Sequence, residues 1–534
     1  MAEGQSKQDI LAQAAAAFAA GDARKAADML ELALMSHHDD AELTSALAYA
    51  LSRLDRLDVA ADRFDEAARL RSNDFAVLRD AGSVNLKAGR LETALTHFRA
   101  AYRASNNDLA LLGRVVDVLL RLKRADQALT LIDGTLALAP RVALLHYLRG
   151  VVLGAKSQHR DEKAAYEAAL GLNPRLVDAH TNLGVLARDE QRFQDALRHF
   201  KQALAIDSDH AGARNNRAQT NLLLGQYTHG WRDYEWRWRD GVQTMPFSGA
   251  PWLGESSLKG KTLLVHAEQG LGDTLQFSRY VPALAEQADR VVFLVQPPLQ
   301  TLLEANLPGV TVISQDDEIP VYDLHTPLLS LPLALSRQRA EPWPLTHALQ
   351  ADAARTQAWA ERLGPKGVRP RIGLAWSGNA SHSDDHNRSI PFELLSPVLD
   401  VSADFVSLQK DVRDEDLAAI DRWRAQNPAA TLRLTGADLN DFADSAALAA
   451  NLDLVITVDT SAAHLAGSLG RPTWLLLPTM PDWRWQLNRS DTPWYPSMTL
   501  YRRGQDWSEL LQVLQEKLRA GLDFSPDPLA TPAG

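Results

Sequence analysis

The sequence predicts an all-helical repeat solenoid followed by two parallel α/β domains. Three observations support this prediction. A 34-residue period runs through the first half of the chain, and two later segments each read as a buried strand, a turn of small and polar residues, a helix and a second strand. A chain of 534 residues also exceeds the size at which one hydrophobic core stops growing, so several domains are expected.

The composition is that of a globular protein, with 46% hydrophobic and 23% charged residues and a mean hydropathy of -0.23. A net charge of -11 argues against nucleic acid or an anionic lipid surface as the main partner. The absence of cysteine excludes disulfides, thiolate metal sites and cysteine nucleophiles. The start of the chain lacks a secretory pattern, and no apolar run reaches the roughly 20 residues of a membrane span. We therefore expect a cytoplasmic protein without a membrane span.

The period is clearest in a column of turn residues that recur every 34 positions, which is the length of a tetratricopeptide repeat. This column contains Gly21, Asp55, Gly89, Lys123, Ser157, Gln191 and Gly225. Seven positions earlier the residues are nearly all small: Ala14, Ala48, Gly82, Val116, Gly150, Gly184 and Ala218. Nine positions after each turn residue stands a bulky residue: Leu30, Phe64, Phe98, Ile132, Tyr166, Phe200 and Tyr234. Small residues let two helices approach closely, so the columns predict seven packed helix pairs over residues 1–240.

The seventh repeat departs from the pattern, because Arg237 stands where earlier repeats carry a small residue. We expect it to be a modified terminal cap. A solenoid of this kind has no chemistry of its own and offers a concave surface, for which a bound protein is the default partner and dimerisation or spacing the alternatives. Asn182, Asn215 and Asn216 are candidates for gripping a bound backbone, or are ordinary solvated residues. The Trp-rich junction after the repeats is expected to attach them to the second half rather than to bind a ligand.

The remaining boundaries follow from changes in pattern. We expect residues 241–258 to form a linker, 259–345 a first Rossmann-like domain, 346–370 a linker helix, 371–520 a second Rossmann-like domain and 521–534 a flexible tail. Two successive open sheets would place the carboxyl ends of their strands across a cleft.

Two segments carry a family resemblance: GLGDTLQFSRYVPAL in the first domain and VDTSAAHLAGSLGRPT in the second. Together they resemble the bacterial heptosyltransferase-like glycosyltransferases of the GT-B fold. With the repeats in front, the chain resembles the tetratricopeptide glycosyltransferases that include bacterial flagellin glycosyltransferases, and its layout is similar to that of the protein O-GlcNAc transferases.

The resemblance implies metal-independent transfer of a sugar from a nucleotide sugar to Ser or Thr hydroxyls of a protein acceptor held by the repeats. The first domain would be the acceptor side and the second the donor side, with no cofactor beyond the nucleotide-sugar co-substrate. Two alternatives remain: a lipopolysaccharide-type transferase of the same fold, and an inactive scaffold that only binds a protein.

The strongest donor-site candidates lie in the VDTSAAH segment, where a strand end meets a helix start. Backbone N–H groups at such a helix start favour an anion such as a phosphate. The resemblance assigns phosphate binding to Thr460, Ser461 and His464, next to Asp459. The alternative is that Asp459 and Thr460 cap the helix and that His464 is a packing residue.

The GLGD turn supplies the acceptor-side candidates. Gly270 and Gly272 lack Cβ atoms and would let the backbone approach a ligand. The Asp that matches Asp273 is the general base in heptosyltransferases, so Asp273 is the catalytic candidate. Its alternative role is a helix cap.

Further donor-side candidates lie in the loops after the next strands. Ser377 and Asn379 occupy a polar loop, Arg388 would neutralise charge on the leaving phosphate, and Lys410 resembles a donor-phosphate ligand or is a solvated surface lysine. No metal ligand set is predicted. The aromatic residues of PDWRW, with Trp494 and Tyr495, would flank a base or sugar, or form a hydrophobic seam between the domains.

Overall fold

The computed structural model describes residues 6–240, 247, 249–335, 348–382, 384–428, 431–504 and 506–521. The chain divides into two compact units. Unit 1 runs to Ala187 and takes in Lys201–Ser208, while unit 2 contains Arg188–Phe200 and the residues from Asp209 onward. The boundary therefore falls inside the sixth repeat, and the seventh repeat belongs to unit 2.

Fourteen helices form the seven predicted pairs, and corresponding helices begin 34 residues apart. They are α1 (Lys7–Ala19), α2 (Ala23–Leu34), α3 (Ala41–Arg53), α4 (Leu57–Leu70), α5 (Phe75–Lys87), α6 (Leu91–Ala104), α7 (Leu109–Arg121), α8 (Ala125–Leu138), α9 (Ala143–Ala155), α10 (His159–Leu172), α11 (Val177–Asp189), α12 (Phe193–Ile206), α13 (Ala211–Leu223) and α14 (Tyr227–Tyr234). The spacing read from the sequence is thus the spacing of the helices themselves.

The column of turn residues has a structural cause. All seven residues adopt a left-handed backbone, with φ between 56° at Ser157 and 81° at Gly21. The N–H of the following residue then bonds back across the turn, as from Arg90 to the Asn85 carbonyl (2.8 Å) and from Arg124 to the Leu119 carbonyl (2.8 Å). This pattern satisfies the free carbonyl groups at a helix end.

The small and bulky columns meet in the core of the repeats. A methyl group at Gly82 would lie 2.8 Å from the Phe98 ring, and one at Gly150 would overlap the Tyr166 ring. The bulky side chain therefore fills the space that the missing Cβ leaves, which explains why a small residue in one column is paired with a bulky residue in the other.

The seventh pair differs as expected for a modified cap. Helix α14 has 8 residues and passes directly into a 3-10 helix at Glu235–Arg239. Three of its aromatic side chains are buried with residues far along the chain: Trp231 contacts Phe277 and Trp483 edge-on, Tyr227 contacts Trp494, and Tyr234 contacts Trp483. This repeat is consequently part of the hydrophobic core of unit 2.

The smaller sheet has four parallel strands in the order β3-β2-β1-β4. Its elements are β1 (Thr262–His266), α15 (Leu271–Phe277), α16 (Val281–Ala285), β2 (Arg290–Val295), α17 (Gln300–Asn306), β3 (Val310–Ser314), β4 (Leu324–Pro327) and α18 (Leu331–Leu335). Strand β1 is fully buried beyond its first residue, as a central parallel strand must be.

The larger sheet has six parallel strands in the order β10-β9-β8-β5-β6-β7. Its elements are α19 (Ala353–Leu363), β5 (Arg371–Ala375), α20 (Asp385–Arg388), α21 (Phe392–Leu395), β6 (Asp404–Ser407), α22 (Asp414–Gln426), β7 (Thr431–Arg433), α23 (Phe442–Ala450), β8 (Leu454–Val458), α24 (Ser461–Ser468), β9 (Thr473–Leu477), β10 (Met498–Arg502) and α25 (Trp507–Ala520). This is the strand order of doubly wound dinucleotide-binding folds, and the smaller sheet repeats its first four strands. In the described part of the chain, no helix is long and apolar enough to cross a lipid bilayer.

Candidate functional site

Both sheets reverse their strand order at one point, and ligands bind at the carboxyl ends of strands flanking such a point. In the smaller sheet it lies between β1 and β4, and in the larger sheet between β5 and β8. Apart from Lys410, which follows β6, the predicted site residues follow three of these strands: Gly270 to Asp273 after β1, Ser377 to Arg388 after β5, and Asp459 to His464 after β8. Whether they form a site depends on how the loops meet.

The loops of the two sheets meet at Gly272 and His464. A methyl group at Gly272 would lie 2.7 Å from Cδ2 of His464. Gly272 was expected to let a ligand approach the backbone, but His464 fills that space. Because Gly272 has no Cβ, the start of α15 can pack closely against α24.

The turn from β8 into α24 leaves its helix start open. Thr460 is the N-cap residue, with an extended backbone (φ -141°), yet its hydroxyl does not cap the helix and lies 3.4 Å from Thr457 Oγ1. Ser461 is the first helical residue. The first-turn N–H groups thus have no capping side chain in the described part of the chain, as an anion site at a helix start requires.

His464 is a buried, neutral residue of this turn. Its Nδ1 is hydrogen-bonded to the Tyr495 hydroxyl (3.0 Å), and its ring stacks on Trp485 with centroids 5.3 Å apart. Burial, with the Arg484 and Arg279 charges nearby, holds the pKa of His464 well below its usual value. The lowered pKa favours the uncharged ring of His464 at neutral pH.

Arg388 joins the β5 loop to the β8 turn. Its Nη1 donates to the Asp459 carbonyl (3.1 Å), and a methyl group at Gly378 would lie 2.8 Å from its Nη2. The Nε of Arg388 is buried, lies 4.0 Å from Asp385 Oδ1 and makes no hydrogen bond within the described residues. The structure therefore brings Arg388 and Asp459 together where the loop after β5 meets the turn after β8.

The other candidates on the larger sheet have internal partners. The Ser377 N–H donates to Gln409 Oε1 (2.9 Å), and the Ser377 hydroxyl accepts from Gln409 Nε2 (3.0 Å). Asn379 is exposed and its Oδ1 accepts the Ser381 N–H (2.9 Å). Lys410 donates to the Leu439 carbonyl. Within the described residues, none of these three side chains bonds to the β8 turn.

Asp273 is held by two partners. Its Oδ2 accepts the Gly270 N–H (2.8 Å), which is the reach-back contact of a residue in the first turn of a helix. Its Oδ1 forms an ion pair with Arg484. The capping alternative is therefore present in the structure, although Gly270 rather than Asp273 is the N-cap residue.

Sequence reasoning missed Arg484 and Asp482 as charged members of the site. Both follow β9, next to β8, and Asp482 Oδ1 accepts from Arg484 Nη1 (2.8 Å). Their position in the sequence, directly after a buried strand at the same sheet edge, could have marked them as site residues. The aromatic residues beside them instead led to an interpretation as a base- or sugar-stacking segment or a hydrophobic seam. Burial and the Asp482 charge raise the pKa of Asp459 to about 7. The site thus combines three carboxylates with two guanidinium groups.

The reversal point of the smaller sheet is filled by an ion pair from the seventh repeat. Arg237 donates to both carboxylate oxygens of Glu268 (2.8 and 2.6 Å) and to the Ser330 hydroxyl (2.9 Å). The Leu329 N–H also donates to Glu268 (2.9 Å), and Glu235 accepts from Arg237 (3.1 Å). The side chains of Arg237 and Glu268 are only 7% and 2% exposed. The irregular residue of the seventh repeat is thus a buried structural contact.

The aromatic residues after β9 form a packing seam. Trp485, Trp494 and Tyr495 are fully buried, and Trp483 contacts Trp494 and the α14 aromatic residues. Their ring faces are covered by protein, which favours the seam over base or sugar stacking.

The predicted peptide-gripping asparagines also have internal partners. Asn182 donates to the Tyr166 hydroxyl (3.1 Å), Asn215 donates to Asp240 (2.8 Å), and Asn216 donates to the Gly212 carbonyl (2.8 Å). In the described part of the chain, no cluster of three or more His, Asp or Glu side chains is arranged to hold a metal ion.

Comparison with known proteins recovers the repeats. Models of the tetratricopeptide repeat match residues 45–108, 85–151 and 177–210. The chain is 28% identical to Protein FlbA of Caulobacter vibrioides over 404 residues, which are 70% of this chain and 66% of that protein.

Among solved structures, the chain is similar to YrrB, described as a TPR protein with an unusual peptide-binding site (24% identity, 35% of this chain and 96% of that one, TM-score 0.26). It is also similar to a tetratricopeptide repeat protein from Parabacteroides merdae (14% identity, 45% and 94%, TM-score 0.39). With a period of 34 residues in both sequence and helices, the family matches identify the N-terminal region as a tetratricopeptide repeat solenoid.

Proposed function

We propose that the chain is a glycosyltransferase that moves a sugar from a nucleotide sugar to Ser or Thr hydroxyls of a protein bound by the repeats. The two parallel sheets would be the halves of a GT-B fold, with the larger sheet on the donor side. The proposal is supported chiefly by the meeting of loops from two Rossmann-like sheets: Gly272 packs on His464 and Asp273 pairs with Arg484, so the loop after β1 shares one group of residues with the segments after β8 and β9.

The donor phosphates would lie at the open start of α24. The uncapped N–H groups after Thr460 and the guanidinium of Arg388 supply the partial and full positive charge that a phosphate leaving group needs. Arg388 is suited to this role because its Nε makes no hydrogen bond within the described residues and its Nη1 already contacts Asp459 at the turn.

The acceptor hydroxyl would lose its proton to a carboxylate as it attacks the anomeric carbon. Asp273 is the candidate base, since it stands at the start of α15, where its neighbour Gly272 packs on His464 of α24. Its pairing with Arg484 means that this role requires the carboxylate to be released from the guanidinium.

Nucleotide release from a panel of nucleotide sugars tests the proposal. Purified full-length protein is incubated with UDP-, GDP-, ADP- and CMP-linked sugars, with and without the proteins it captures. We expect turnover with one donor class, reduced about 100-fold or more in Arg388→Gln because a transition-state charge partner is lost. The control is Arg422→Gln, whose ion pair with Glu393 is solvent-exposed.

The destination of the sugar separates the transferase alternatives. Sugar on Ser or Thr of a captured protein supports the proposal, whereas sugar only in the lipid fraction supports a lipopolysaccharide-type enzyme. If the protein neither turns over nor binds any of these donors, its function is that of a protein-binding scaffold.

A further inference from the structure

We propose that a cavity at the amino ends of the strands of the larger sheet binds a sugar phosphate, with Arg371 and Arg471 holding the phosphate group. The cavity has a volume of about 580 Å³, which is within the usual range for small-molecule sites. Its lining includes residues of α19, the segment that leads from α19 into β5, and the residues directly before β8 and β9. The inference does not depend on the proposed function, because it concerns the opposite edge of the sheet.

The position of the cavity follows from three neighbouring strands. Arg371 is the first residue of β5, Asp453 directly precedes β8, and Arg471 lies two residues before β9. These parallel strands are adjacent in the order β9-β8-β5, so their amino ends share one edge of the sheet. Each strand has 5 residues, which at about 3.3 Å per residue puts this edge roughly 16 Å from the carboxyl edge. The cavity is therefore separate from the candidate functional site.

Two guanidinium groups line the cavity without a carboxylate partner. Arg371 is 6% exposed, and within the described residues neither its guanidinium nor that of Arg471 has a carboxylate at ion-pair distance. Burial lowers the pKa of Arg471, and the nearby charge of Asp453 offsets only part of that effect. Because buried cations in proteins are normally paired, an anion in the cavity would supply the missing partner.

Both guanidinium groups also keep N–H groups for a ligand. Nη2 of Arg371 donates to the Gly364 carbonyl and Nη2 of Arg471 to the Leu452 carbonyl. These bonds satisfy carbonyl groups just beyond the C-terminal ends of α19 and α23. The Nε and Nη1 atoms of both arginines make no hydrogen bond within the described residues, and the Nε of Arg471 is buried. They are the atoms with which arginine binds a phosphate in a two-pronged contact.

The negative charges near the cavity do not cancel these two cations. Asp453 is neutralised by Lys366, whose Nζ lies 2.5 Å from Oδ1, and its Oδ2 accepts the Arg371 N–H (2.9 Å). Glu361 is exposed, so solvent screens its charge. The C-terminal ends of α19 and α23 contribute only about half a negative charge each. The buried part of the lining thus keeps an excess of positive charge.

The rest of the lining determines the class of ligand. Gln357 Nε2 donates to Glu361 Oε1 (2.9 Å), and the other oxygen of each side chain makes no hydrogen bond within the described residues. Such oxygens accept hydrogen bonds from hydroxyl groups. A phosphate offers three acceptor oxygens to the two arginines, whereas a carboxylate offers two. A phosphate with a hydroxyl-bearing body satisfies both parts of the cavity, and a sugar phosphate has this chemistry.

Isothermal titration of the full-length chain with glucose 6-phosphate, inorganic phosphate and glucose tests the site. We expect glucose 6-phosphate to bind with a Kd of about 1 mM or tighter, inorganic phosphate to bind about tenfold more weakly, and glucose not to bind. Arg471→Gln should weaken the binding of glucose 6-phosphate about tenfold or more, because a charge-assisted contact is lost.

Arg424→Gln is the matched control. Arg424 also donates to a backbone carbonyl, that of Leu432 (2.8 Å), but it lies on α22 and does not line the cavity. Arg388→Gln shows where the phosphate binds, because Arg388 belongs to the candidate functional site. Both variants should bind glucose 6-phosphate as the wild type does.

A second variant covers the case in which Arg471→Gln fails to fold, as judged by its tryptophan fluorescence. Lys366 is 52% exposed, so Lys366→Gln should fold. It leaves the charge of Asp453 unpaired beside the arginines, and we expect binding to weaken about threefold or more. An affinity equal to that of the wild type would then count against the site.

The remaining outcomes are equally decisive. A wild type that does not bind glucose 6-phosphate at about 10 mM overturns the site. Unchanged binding by a folded Arg471→Gln, or a loss in Arg388→Gln instead, shows that the phosphate binds elsewhere. Glucose or inorganic phosphate binding as tightly as glucose 6-phosphate overturns the assignment to a sugar phosphate. None of these results bears on glycosyl transfer, which nucleotide release measures.

Discussion

Replacing Arg237 by Met should destabilise unit 2 strongly. The substitution leaves Glu268, whose side chain is 2% exposed, with only the Leu329 N–H, and deprives Glu235 of its cation. Removing one partner of a buried ion pair leaves an uncompensated charge and costs about 3–5 kcal/mol. Adding Glu268→Gln should recover about 1–3 kcal/mol of that loss, because the orphaned charge is then absent.

The chain offers a selective assay for this prediction. All 13 tryptophans lie at Trp231 or beyond, so tryptophan fluorescence follows the unfolding of unit 2, while circular dichroism follows the helices of both units. Urea titrations read by fluorescence give the free energy of unfolding for wild type, Arg237→Met and the double variant.

Arg422→Met is the control substitution, because its ion pair with Glu393 is exposed and should contribute at most about 1 kcal/mol. The reasoning fails if Arg237→Met costs no more than Arg422→Met. It also fails if the double variant is less stable than Arg237→Met, since the cost would then not come from the unpaired carboxylate.

Four further substitutions test other parts of the structure. Because the pKa of Asp459 is raised to about 7, the folded state binds a proton more tightly than the unfolded chain does. Ionisation of this group therefore lowers the free energy of unfolding as the pH rises from about 4 to 7. Asp459→Asn should remove that pH-dependent contribution, which urea titrations at pH 5 and pH 8 measure. Gly272→Ala should cost about 1–3 kcal/mol by fluorescence, because its methyl group would overlap the buried His464 ring, and a variant as stable as wild type would contradict the contact. In unit 1, Lys123→Gly should stabilise by up to about 1 kcal/mol and Gly89→Ala should destabilise by about 1 kcal/mol in thermal melts followed by circular dichroism, since both positions have positive φ.

The repeat half of the chain was predictable because its signals are local. The left-handed turn, the small residue before it and the bulky residue after it recur in every unit, so each repeat confirms the others. Even the irregular residue Arg237 was visible as a departure. What the sequence could not indicate was its partner, since Arg237 and Glu268 lie 31 residues apart in elements of different type.

The strands and the turn at Asp459 were also predictable, from buried apolar runs that end in polar residues. The contacts across the two sheets were not. Asp273 and Arg484 are 211 residues apart, and no local pattern marks such a pair. Gly272 shows the same limit: a glycine at a strand–helix turn indicates a close approach, but only the fold shows that the approaching group is His464.

The membership of the seventh repeat in unit 2 limits how such a protein can be cut or recombined. A change in the number of 34-residue blocks ahead of the sixth repeat leaves the contacts of Tyr227 and Trp231 with Trp494, Phe277 and Trp483 in place, since these contacts lie within unit 2. A chimera that exchanges repeat arrays would need its crossover near Ala187. A junction placed after the last helix pair would replace Trp231, which packs in the core of unit 2, and Arg237, which pairs with Glu268.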